Sequence, residues 1–150
     1  MPNPSQYQKN RLILASASPQ RIDLLEQIQI QPDQIIPAYI DETPHRNELP
    51  ADYALRMAVE KAGHIANRLM DEYAESIGQA GTAGPSCVYV LAGDTVVAAG
   101  RRILPKVETV QEARDCLAIL SGRRHRVYGC LLYTSPSPRD MRRSRMPSSA

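Results

Sequence analysis

An aspartate interrupts the most apolar stretch of the sequence. Residues 88–97 read VYVLAGDTVV, with Gly93-Asp94-Thr95 set among aliphatic residues. An isolated buried carboxylate is too costly, so Asp94 must be paired, bind a metal or open into a cleft. Gly93 beside it permits close backbone approach. Other residues with useful chemistry lie at the ends of apolar runs. Ser16, Ser18 and Arg21 follow RLILA, Asp41-Glu42 follows IIPAYI, and Lys106 follows Ile103-Leu104-Pro105. Hydroxyls and a guanidinium at a helix start suit an anion, or simply cap the helix. Adjacent carboxylates are a hard-oxygen ligand pair or a solvated turn. Lys61, beside the apolar stripe of a long helical pattern, is a phosphate-binding point charge or a snorkelling surface residue. His125 at a strand start reads as structural, and His64 as surface.

The elements that must position these residues can be read in order. Residues 11–15 form a short strand. Ser18 is a suitable N-cap and Pro19 a suitable first residue for a helix running to about Ile28, with Ile22, Leu25 and Ile28 on one face. Residues 31–40 are a loop and a weak strand. Residues 50–77 are the longest helix, with Leu55, Ala58, Ala62, Ile65, Ala66 and Leu69 as its apolar stripe. A loop at 78–86 leads into the central strand, 88–97. Residues 98–102 form a hairpin turn, and Ile103-Leu104 return from it. A helix spans 109–122, with Thr109 and Glu112 as capping box, Gly122 just beyond the C-terminus, and Val110, Ala113, Leu117 and Leu120 as its stripe. HRVY, 125–128, is the last strand.

At 150 residues the chain is one domain with room for a core. It has 12 Pro, no Phe and no Trp. No apolar run reaches membrane-span length, and the N-terminus lacks a signal-peptide core, so a cytoplasmic location is expected. Cys87, Cys116 and Cys130 lack metal-ligand spacing and read as reduced thiols. The formal charge of +2 is carried by the tail, where Arg139, Arg142, Arg143 and Arg145 face only Asp140. Residues 1–129 carry −1, which argues against nucleic acid as a partner. From Cys130 the periodicity stops, and CLLYTSPSPRD back-translates to a transposase-type sequencing adapter read in frame. Residues 130–150 are therefore expected to be a disordered translated adapter, with the gene's own continuation missing. A natural basic tail is the other reading.

Six segments together resemble the Maf family of nucleoside triphosphate pyrophosphatases: LILASASPQRIDLL, Asp41-Glu42, Lys61-Ala62, LAGDTVV, ILPK and LSGRRHRVY. The resemblance implies the α/β class: an elongated mixed sheet with flanking helices, of the Maf/ITPase type, with two lobes around a cleft. Here the domain would be partial and cover residues 1–129. It implies cleavage of a nucleoside triphosphate to the monophosphate and pyrophosphate, with a divalent cation, Mg²⁺, and a homodimer when full length. By position, Asp94 would activate water, as a proton acceptor or together with metal. Glu42 would help bind metal or water. Ser16, Ser18, Arg21, Lys61 and Lys106 would bind substrate. Gln20 stands at a position associated with base selection, where relatives often carry Arg. Thr95 resembles the branch that favours dTTP and UTP. A polyanionic substrate is served mainly by positioning and charge neutralisation, which these residues can supply. Rival expectations are a nucleotide-binding regulator of septum formation without turnover, and an inactive fragment with an exposed sheet edge.

Overall fold

The computed structural model describes residues 10–77 and 87–135. In chain order the elements are β1 (Arg11–Leu14), α1 (Pro19–Gln27), β2 (Gln34–Ile35), α2 (Pro50–Ile77), β3 (Val88–Ala99), β4 (Arg102–Ile103), α3 (Val110–Leu120) and β5 (Arg126–Thr134). The five strands form one mixed sheet flanked by helices. The loop expected at 78–86 lies outside the described residues.

Strand β3 organises the sheet. β1 runs parallel to its first third, pairing Arg11–Leu14 with residues 88–91. β4 returns antiparallel on its last two residues, and β5 pairs antiparallel along residues 90–98. Val90 and Leu91 pair with both β1 and β5, and Ala98 with both β4 and β5, so β1 and β4 share the edge opposite β5. The ladder on that shared edge ends with the Ala15 amide on the Leu91 carbonyl. It resumes where the Leu104 amide reaches the Val97 carbonyl. Between them, among the described residues, no strand pairs with the edge of residues 92–96. Gly93-Asp94-Thr95 sits at the middle of this split.

Alternation along β3 decides which side chains meet α2. Val88, Val90, Ala92, Asp94, Val96 and Ala98 are all buried, as the period of two requires for one covered face. The core against this face forms two clusters. One joins Val88, Val90 and Ala92 to Ala62, Ile65, Ala66 and Leu69, and the other joins Val96 to Tyr53, Ala54 and Met57. The break between clusters falls at Asp94 on the strand and at Lys61 on the helix. Small residues at 58, 62, 66 and 92 let helix and sheet approach closely. Met57 is fully buried. Met57→Ala is expected to cost about 2–5 kcal/mol, read as a lower urea midpoint at unchanged m-value.

Several expectations need correction. Leu55 is 51% exposed, and Tyr53, Ala54 and Met57 take the buried side of the first turns of α2 instead. The weak strand at 35–40 shrinks to β2, because only Gln34 and Ile35 reach β1. Ile28 lies past the end of α1 and is exposed. The capping box of α3 is present, with the Thr109 side chain accepting from the Glu112 amide and the Glu112 side chain from the Thr109 amide. Gly122 takes φ +67°, as a residue just past the helix requires. The α3 stripe, however, is not buried: Val110 is 72% and Leu117 64% exposed, because no described element covers that face. Residues 130–134 are not disordered either. β5 continues through them, pairing Cys130 with Asp94 and Thr134 with Val90. The backbone ladder accepts this stretch because Cys130 and Leu132 fall on the inner side while Leu131 and Tyr133 point outward. Residues 136–150 lie outside the described residues. Among those described, no helix is long and apolar enough to cross a membrane.

Candidate functional site

Asp94 is delivered to the helix face of the sheet by the β3 alternation, and Lys61 faces it from α2. Lys61 Nζ lies 2.7 Å from Asp94 Oδ1 and 2.9 Å from Glu42 Oε1. The Lys61 and Asp94 side chains are 11% and 12% exposed, whereas Glu42 is 52% exposed. One ammonium therefore bridges two carboxylates, one inside and one at the rim. The cluster carries a net −1, and its charged hydrogen bonds are of the stronger, charge-assisted kind. Of the alternatives left open for Asp94, pairing beside an open strand edge is what the structure shows. Lys61 is not a snorkelling surface residue.

A second cluster lies across the strand. Ser16 follows β1 and is buried, and its Oγ accepts from Arg21 Nη1 at 2.8 Å and from the Ser18 amide at 3.2 Å. Arg21 Nη2 is 3.5 Å from Thr95 Oγ1, at the outer limit of a hydrogen bond. A Cβ on Gly93 would stand 3.3 Å from Arg21 Nε and 3.0 Å from the Cys130 carbonyl oxygen, so the glycine is what admits the guanidinium and the β5 backbone together. Gly93 and Thr95 face this cluster while Asp94 faces Lys61. The two groups thus flank the same three residues at the unpaired edge.

The remaining candidates are placed differently. Ser18 is the N-cap of α1 but makes no side-chain cap; its Oγ donates to Gln20 Oε1 at 2.9 Å instead. Gln20 is exposed. Lys106 is exposed in the segment after β4 and has no ion-pair partner among the described residues. Asp41 turns to Thr43 instead: its Oδ1 accepts from the Thr43 amide at 2.9 Å, and the Thr43 side chain first, then that amide, hold its carboxyl below the usual range. Residues 123–126 and Arg101 instead border a concavity of about 910 Å³ beside the first turn of α2.

Sequence reasoning missed Tyr53, Arg56 and Glu48. Tyr53, Met57 and Lys61 fall at four-residue spacing, so continuing the lysine's helix face one and two turns back finds Tyr53. Arg56 and Glu48 form a bidentate pair, Nε to Oε1 at 2.7 Å and Nη2 to Oε2 at 2.8 Å. This pairing holds the Glu48 carboxyl at about 2, down from 4.5. A depressed carboxyl stabilises above its unfolded value and loses that contribution as pH falls through its folded value. The difference in melting temperature between the parent and Glu48→Gln is thus expected to be constant above pH 4.5 and to shrink steadily toward pH 2.

The Maf-like family model matches residues 11–148 of this sequence. The chain belongs to the Maf-like family. It is 50% identical to a protein of Mesorhizobium japonicum named dTTP/UTP pyrophosphatase, over 84% of this chain and 56% of that one. A protein of Rickettsia rickettsii named nucleoside triphosphate pyrophosphatase is 50% identical over 78% of this chain and 47% of its own length. A dTTP/UTP pyrophosphatase of Paramagnetospirillum magneticum is 49% identical over 89% of this chain and 62% of its own. The chain spans about half the length of the curated relatives it matches.

Proposed function

We propose that this chain carries the catalytic half of a nucleoside triphosphate pyrophosphatase, which hydrolyses its substrate to the monophosphate and pyrophosphate. The observation that carries the reading is the Lys61 ammonium shared between buried Asp94 and rim Glu42 at an unpaired strand edge. The names of the relatives supply the substrate class, and two of the three name dTTP and UTP. Asp94 would orient the attacking water and take its proton. Lys61 would neutralise charge on the phosphates. Ser16, Ser18 and Arg21 would hold the phosphate chain from the α1 side, and Lys106 would close on it from the β4 side. Gln20 and Thr95 would bear on base preference, with dTTP and UTP as the favoured substrates.

The donor set fits Mg²⁺. Two carboxylates with a net negative charge are what that ion takes from a protein when phosphates and water complete its shell. Among the described residues no cluster of three or more His, Cys, Asp or Glu offers a full protein cage. Glu42 and Asp94 would hold the ion, which when bound supplies charge neutralisation at the phosphates.

The same reading makes the longer protein a cytoplasmic homodimer. It ends the Maf-like portion at residue 129 and takes 130–150 as translated adapter, although the family match extends to 148. Sequencing the locus past the Tyr128 codon decides this: a frame that departs from CLLYTSPSPRD supports it, and one that encodes those residues overturns it. The activity test uses the 150-residue chain and a chimera of residues 1–128 continued by the second half of the Mesorhizobium relative. With Mg²⁺, the chimera is expected to release pyrophosphate from dTTP or UTP. No pyrophosphate from any of a broad nucleotide panel would overturn the proposal.

A further inference from the structure

Glu42 is held at the rim by a segment that contains neither helix nor strand between residues 36 and 49. A half-exposed carboxylate on irregular backbone has many conformations to lose, so something must fix it. Two side chains of α2 do so. Tyr53 Oη donates to the Glu42 carbonyl at 2.7 Å, and Arg56 Nη2 donates to the Thr43 carbonyl at 3.2 Å. Consecutive carbonyls are thus gripped from helix positions three apart, which lie on one face. Arg56 stacks on the Tyr53 ring at 5.5 Å and takes both oxygens of Glu48, whose Oε2 also accepts the His45 amide at 2.8 Å. The far end of the loop is thereby tied to the same guanidinium.

We propose that Tyr53 and Arg56 are positioning residues for Glu42. They lock the Glu42-Thr43 backbone onto the helix that carries Lys61, so that the carboxylate changes partner by side-chain rotation alone. Tyr53 is 8% exposed, so its hydroxyl has little water to turn to in place of the Glu42 carbonyl. The inference rests on the proposed function for what Glu42 does, but not for how its backbone is held.

Tyr53→Phe removes the hydroxyl and keeps the ring under Arg56. Two measurements on the 150-residue chain and the chimera test the proposal. Amide hydrogen exchange at residues 43–48 is expected to quicken about fivefold in Tyr53→Phe, as for the loss of one hydrogen bond, with exchange in β3 unchanged. In the chimera, Tyr53→Phe is expected to raise the Mg²⁺ concentration for half-maximal rate about fivefold with little change in KM for nucleotide. It should add nothing in a Glu42→Gln background. Unchanged exchange at 43–48 would overturn the proposal, as would an equal loss of rate in both backgrounds. If the chimera is inactive the proposed function fails, and the exchange result alone still decides whether Tyr53 holds the loop.

Discussion

Asp94→Asn is expected to lower pyrophosphate release by about a thousandfold while the protein stays folded, within the range that a positioned proton acceptor contributes. The substitution is nearly isosteric, so strand β3 and its ladder to β5 have no reason to shift. Lys61 loses one of two carboxylates but keeps Glu42 at 2.9 Å and gains an amide oxygen in place of the other. The stability cost is therefore that of a weakened charged hydrogen bond, about 1–3 kcal/mol. Because Ser16 and Arg21 sit on the other side of the strand, KM for nucleotide should change far less than kcat. Steady-state kinetics with far-UV circular dichroism of parent and variant check this. A variant with more than a tenth of parental kcat would remove Asp94 from the chemistry.

Lys61→Met carries the largest expected stability effect. Methionine keeps the aliphatic stem that lies between the two core clusters but removes the shared ammonium. Two carboxylates then face each other, and Asp94 is left buried without a cation. Breaking a buried pair in this way costs about 3–5 kcal/mol, more than a surface ion pair is worth. Urea titrations of parent and variant at pH 7.5 test this. The gap in unfolding free energy is expected to be several kcal/mol. A gap below about 1 kcal/mol would mean that the cluster is solvated.

Asp94 was legible in the sequence because a charge inside an aliphatic run has few affordable explanations, and the period of two then fixes its face. The extent of α2, the capping box of α3 and the Gly100 turn were legible because local rules set them: Pro at the first position, Thr-x-x-Glu, and glycine at positive φ. Lys61 was only half legible. The helical period placed it beside the stripe but could not say that the break between two core clusters falls opposite it. Four-residue spacing puts Tyr53 on the face of Lys61, but what Tyr53 and Arg56 hold was not legible, because their partners are backbone carbonyls of a loop that carries no periodic signal. Leu55 was misplaced for a related reason: an apolar residue near the stripe's edge lost its buried position to an aromatic ring with a hydrogen-bonding tip. The end of β5 was missed because the ladder tolerates any residues that alternate acceptably, whatever their origin.

Phosphorus NMR of the chimera acting on dTTP with Mg²⁺ tests the central claim most directly. Thymidine monophosphate and pyrophosphate appearing in equal amounts, and absent with Asp94→Asn, is the predicted result. Thymidine diphosphate with orthophosphate, or the same product ratio and rate from Asp94→Asn, would contradict it.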